Sequence, residues 1–128
     1  MIYLDTSVAL AQLLAEDRVP PEALWREPLI SSRLIEHEIW TRIHALKLAR
    51  SHGDEVRALL GRIALVELSL PVLARALEPF PKPVRTLDAL HLASMDFVQK
   101  QGQSITLASY DDRQISAARA LRFSIYAL

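Results

Sequence analysis

Four acidic positions stand where this sequence is best placed to do chemistry, three of them where the chain turns into a helix and one on the inner face of a helix. Asp5 directly follows the run Ile2-Tyr3-Leu4, Asp88 opens a helical stretch, and Asp111-Asp112 follow the run ending at Ala108 after Ser109-Tyr110. Each of these has an ordinary reading, because an Asp in a first helical turn caps the helix and complements its dipole. Glu38 lacks that reading. On a helix turning about 100° per residue, with Ile35 at the origin, Leu46 falls near about 20°, Ile39 near about 40°, Ile43 near about 80° and Ala49 near about −40°. Glu38 falls near about −60° on the same count, inside the apolar arc, whereas Glu36 falls near about 100°, at the arc's edge beside Lys47. A carboxylate pointed at a core must protonate, pair or bind a cation. Arg42, one turn on, is a possible partner.

Gathered together, four carboxylates repel one another and need a compensating charge. Hard divalent cations such as Mg²⁺ or Mn²⁺ are held by carboxylate and water oxygens. Such an ion activates water and stabilises charge building on a phosphoryl group. The chemistry this set suits is phosphodiester hydrolysis. The absence of cysteine removes thiol nucleophiles, CxxC redox pairs, iron–sulfur ligation and Cys-based zinc sites. A metal-free ribonuclease would need a histidine pair for acid–base work, and His37 and His44 share neither the apolar arc nor a place among the acids, so both read as surface residues.

The elements that must position these acids alternate regularly. Strands are expected at Ile2-Tyr3-Leu4, Leu29-Ile30-Ser31, Ala64 to Leu68, Ser104 to Ala108 and Phe123 to Tyr126. Helices are expected from Ser7 to Leu14 (capped by Thr6 or Ser7), from Pro20-Pro21 through Trp25, from Ser32 to about Arg50, from Gly53 to Ile63, from Pro71 to before Pro79, from Leu87 to Lys100 and from Asp112 to Leu121. Helices joining short apolar strands imply a three-layer α/β/α sandwich around a mostly parallel, five-stranded sheet. In such sheets ligands gather at the carboxyl ends of the strands, which is where the acids fall.

A chain of 128 residues reads as a single domain spanning 1–128, long enough to bury roughly two thirds of its unfolded surface without staples. Fifteen basic and fifteen acidic residues give a formal net charge of zero, which argues against holding nucleic acid by a broad positive field. Twelve of the cations are arginine, whose planar fork suits phosphate. The opening MIYLDTS has no basic leader region, and no run approaches the roughly 18 apolar residues of a membrane span. A soluble, cytoplasmic protein with no membrane partner is expected.

The segments MIYLDTS, SSRLIEHEIW, TLDALHLAS and TLASYDDRQISAARAL, in that order, resemble a PIN-domain ribonuclease, specifically a VapC-type toxin of a type II toxin–antitoxin pair. The resemblance covers essentially the whole chain, and TLDALHLA is its most specific piece. It implies that Asp5, Glu38, Asp88 and Asp111 take the places of the family's four metal-site acids, and that Thr6 or Ser7 matches the small hydroxyl residue following the first. It implies further an RNA substrate, a cognate VapB-type antitoxin seated in an apolar groove and a homodimer. Trp25 and Trp40 are large apolar residues that could line such a groove, or could pack beneath the adjacent short helix. The adjacent Asp112 leaves the fourth position open by one residue. Asp96, roughly 12 Å along the helix from Asp88, reads as structural. Arg122 stands where relatives carry a Gly before the last strand. A catalytically silent, protein-binding version of the fold is the main alternative. A receiver-like phospho-acceptor would want a Lys after the last strand, and the three lysines are Lys47, Lys82 and Lys100.

Overall fold

The computed structural model describes residues 1–128. Its elements are β1 (Ile2–Leu4), α1 (Thr6–Leu13), a 3-10 turn (Glu22–Arg26), β2 (Leu29–Ser32), α2 (Leu34–Ala45), α3 (Ala49–Leu60), β3 (Ile63–Val66), α4 (Leu70–Ala76), α5 (Thr86–Lys100), β4 (Thr106–Ala108), α6 (Asp112–Ala120) and β5 (Ser124–Ile125). The strands form one sheet in the order β3-β2-β1-β4-β5, and every pairing is parallel. The expectation of a mostly parallel sheet is met in full. No helix is long and apolar enough to cross a membrane.

Alternation along each strand divides the core in two. Ile2 and Leu4 of β1, Leu29 of β2, Ile63 of β3 and Ala108 of β4 face a cluster built with Val8, Leu13, Ile35, Ile39, Ile43, Val56 and Leu59 of α1, α2 and α3. Tyr3, Ile30 and Leu107 face the opposite way, onto Leu92, Met95 and Val98 of α5 and Ala117 and Ala118 of α6. Helices therefore cover both faces, and α4 packs outside against α5.

Two expectations need correction. The expected helices from Ser32 to Arg50 and from Gly53 to Ile63 are α2 and α3, which part at Leu46-Lys47-Leu48, so that α3 begins four residues before Gly53 and Gly53 lies inside it. Lys47 takes φ 58°, its N–H bonds the His44 carbonyl and the Leu48 N–H bonds the Ile43 carbonyl. This is a left-handed closing turn, usually signalled by Gly. The apolar arc consequently ends early, leaving Leu46 41% exposed. At α1 the cap is neither Thr6 nor Ser7 but Asp5, whose side chain accepts from the Ser7 N–H.

Candidate metal-binding site

Strand β1 sits at the centre of the sheet; the chain adds β2 and β3 on one side and then crosses back to place β4 on the other. That reversal opens a crevice at the carboxyl ends of β1 and β4. Leu4 is in register with Ala108, so Asp5 and Ser109 emerge side by side. Asp5 is buried, and its Oδ2 accepts from the Ser7 hydroxyl at 2.5 Å, the Ser109 hydroxyl at 2.9 Å and, more weakly, the Ser7 N–H at 3.4 Å. Ser7 in turn accepts from the Tyr110 N–H at 3.0 Å. One oxygen of Asp5 is thus tied down by the ends of β1 and β4.

Glu38 reaches the same crevice from α2. Its Oε1 accepts from the Thr6 hydroxyl at 2.8 Å and from His91 Nε2 at 2.5 Å. The expected arc was right in turning Glu38 toward the interior, but Arg42 is exposed and makes no ion pair with it. The partner is His91, buried on α5. Burial pushes the Glu38 carboxyl up, but the His91 hydrogen bond and charge, with Thr6, outweigh it and hold the pKa below the ordinary value. Burial likewise disfavours the His91 cation, yet the Glu38 hydrogen bond and charge, then Asp5 and Asp88, raise its pKa above the ordinary histidine value. Glu36 behaves differently: it is half-exposed and pairs with Arg33 at 2.6 Å.

His91 was not among the residues singled out from the sequence. Its Nδ1 lies 2.8 Å from the Tyr3 hydroxyl, which also accepts from the Ser32 N–H at 3.1 Å. Burial pushes the Tyr3 phenol far above its ordinary value, so it stays protonated. The chain Ser32–Tyr3–His91–Glu38 joins β2, β1, α5 and α2 into one oriented unit. A sequence signal existed, since His91 lies three residues after Asp88 and shares its helical face. His37 and His44 are exposed, as expected.

Asp88 is half-buried in the first turn of α5. Burial raises its pKa above the ordinary carboxylate value, and the negative charges of Asp111 and then Asp5 raise it further, against smaller opposing effects of His91 and Arg85. Asp88, Asp111 and Asp5 therefore share one electrostatic environment. Asp111 caps α6, its Oδ1 accepting from the Arg113 N–H at 3.0 Å and the Gln114 N–H at 3.4 Å. Asp112 is exposed. As placed, no three of these His, Asp and Glu side chains stand in position to hold one ion together. Direct contact links Thr6, Glu38, His91 and Tyr3, and separately Asp5, Ser7 and Ser109. Asp88 and Asp111 stand within reach of their field.

Asp96 pairs with Arg75 and Lys100, each at 3.0 Å, so its structural reading holds. Trp25 and Trp40 are half-buried against the first core cluster. Trp40 stacks on His44, with Arg57 of α3 over its ring and Gly53 of α3 against it, so it packs against α3 and not beneath a short helix.

A family model described as PIN domain matches residues 2–120 of the chain. The chain belongs to the PIN domain family. Among characterised proteins, this PIN domain is 32% identical over 130 residues to ribonuclease VapC46 of Mycobacterium tuberculosis, covering 98% of this chain and 96% of that protein. Ribonuclease VapC35 of the same organism is 28% identical over 132 residues, covering 99% and 96%. Ribonuclease VapC47 is 26% identical over 135 residues, covering 96% and 93%. The sheet order and the acids at its carboxyl edge give this PIN domain its shape and its crevice.

Proposed function

We propose that this PIN domain is a metal-dependent endoribonuclease, the toxin of a type II toxin–antitoxin pair, acting in the cytoplasm with a VapB-type antitoxin as its cognate partner and a homodimer as its working state. Support comes from the full-length similarity to ribonucleases of the VapC type and from one observation at the site. In each of three acids, one carboxylate oxygen is held by protein donors and the other accepts no hydrogen bond: Asp5 is held through Oδ2, Glu38 through Oε1 and Asp111 through Oδ1. Oriented carboxylates with one oxygen to spare, beside an Asp88 disfavoured as an anion by burial and by Asp111 and Asp5, are a donor set that fits a hard divalent cation.

Asp5, Glu38, Asp88 and Asp111 are the residues assigned to hold Mg²⁺ or Mn²⁺. When bound, the ion supplies an activated water and offsets charge on the phosphoryl oxygens. The side chains of the protein do the orienting. Ser7 and Ser109 fix Asp5, Thr6 and His91 fix Glu38, and the α6 backbone fixes Asp111. The donor chemistry requires Asp88, whose carboxylate no hydrogen bond holds, to turn toward the ion. In-line attack of water leaves a 5′-phosphate and a 3′-hydroxyl.

The test incubates the purified chain with transfer and ribosomal RNA, with Mg²⁺ or Mn²⁺ and with excess chelator. Cleavage that depends on the ion and leaves 5′-phosphate ends is expected. Undiminished cleavage in chelator, or a 2′,3′-cyclic phosphate product, would overturn the mechanism.

A further inference from the structure

We propose that the cleft between the loop preceding α5 and the first turns of α6 is a subsite for backbone phosphates of a single-stranded RNA, next to the bond that is cut. This rests on the ribonuclease reading above. The cleft has a volume of about 590 Å³ and is lined by Lys82, Arg85 and Arg113 together with Asp88, Asp112 and Ser116. It therefore reaches one of the four assigned acids directly.

The three cations, like several others on the surface, have no carboxylate partner in the fold, and what sets them apart is that they line one cleft beside Asp88. Their charges are available to a ligand. Lys82 is set between Pro81 and Pro83; the first fixes the approaching backbone and the second confines Lys82 to extended conformations. Its Nζ crosses to the Ser116 hydroxyl at 2.6 Å, spanning the two walls. Arg85 stands three residues before Asp88 and lines the same cleft. An RNA approaching a centre of four carboxylates is repelled unless cations at its edge hold the flanking phosphates. Arginine suits that task because its planar fork donates two parallel bonds to a phosphate. With a net charge of zero, the attraction has to be local, and this cleft places three free cations at the edge of the acids. An acidic peptide is the competing occupant; RNA is favoured because the cleft adjoins Asp88, one of the acids assigned to phosphodiester cleavage.

The experiment measures binding of a fluorescent single-stranded RNA oligonucleotide to the full-length protein in chelator, across a salt series. For single strands each phosphate contact contributes about 0.7 to the slope of log affinity against log salt. Arg85→Ala, Arg113→Ala and Lys82→Ala are each expected to flatten that slope by about 0.7 and to weaken binding. Arg50→Ala, on α3, leaves it unchanged. All four side chains are exposed, and an unaltered melting temperature confirms folding. If the cleft variants keep the wild-type slope while metal-dependent cleavage is present, the subsite is wrong and the ribonuclease reading stands. If the wild type neither binds nor cuts RNA, both fall. Displacement by polyglutamate as effective as by unlabelled RNA would assign the cleft to an acidic peptide instead.

Discussion

Glu38 and Glu36 lie two residues apart on one helix and meet different surroundings. Glu38→Gln keeps an oxygen for Thr6 and His91 but removes the charge an ion needs, so Mn²⁺ affinity and cleavage should both fall by orders of magnitude. Glu36→Gln loses only a half-exposed pair with Arg33, of a kind worth about 0–1 kcal/mol, and should stay active. An active Glu38→Gln would remove that residue from the metal site. The His91–Glu38 pair also gives a pH signature. Because the folded His91 pKa is raised, its contribution to stability is complete below the ordinary value of 6.5 and is lost as pH rises through the raised one. Because the Glu38 pKa is lowered, its contribution is present above 4.5 and is lost as pH falls through the lowered value. Urea unfolding in chelator should therefore show a stability difference between wild type and His91→Gln that shrinks as pH rises above 6.5. A difference independent of pH would mean that the pair contributes no charge interaction.

Four helices of this fold end in the same way. Ala15 (φ 49°), Lys47 (φ 58°), Gly102 (φ 95°) and Arg122 (φ 67°) each take the left-handed conformation just past α1, α2, α5 and α6. After each of them the next N–H reaches back five residues, from Glu16 to Ala11, Leu48 to Ile43, Gln103 to Val98 and Phe123 to Ala118. Only one of the four is glycine. The departure at Arg122 therefore leaves the turn before β5 intact and charges it with strain, since a side chain in this region costs about 1–2 kcal/mol, against about 0.5–1 kcal/mol for the extra freedom of an unfolded Gly. Lys47→Gly and Arg122→Gly should each stabilise the protein by up to about 1 kcal/mol, raising the melting temperature by a few degrees. Gly102→Ala should do the reverse, although open space surrounds its would-be Cβ, because only the backbone is strained.

At the scale of the whole molecule, the assigned ligands come from the ends of β1 and β4 and from α2 and α5, so a bound ion ties separate elements together. Ion binding stabilises the native state by mass action. In chelator the Asp88 carboxylate is disfavoured by burial and by Asp111 and Asp5, so Asp88→Asn should raise the melting temperature of the metal-free protein. Added Mn²⁺ should raise the wild-type melting temperature and raise that of Asp88→Asn much less. Equal gains would show that the ion binds elsewhere.

Local pattern alone was enough to give the alternation of short apolar strands and helices, the acids at the strand ends and the inward turn of Glu38, because each depends on residues within a few positions of one another. Where the chain relied on glycine to announce a helix end, the reading failed at Lys47, since the closing turn is fixed by hydrogen bonds and by the packing of α2 against α3 rather than by residue type. The tertiary structure decided the strand order and the partner of Glu38. His91 lies 53 residues from Glu38 and 88 from Tyr3, and nothing in a local pattern ranks it above Arg42 one turn away. Only the central place of β1, which brings α2 and α5 together over its carboxyl end, makes that buried pair.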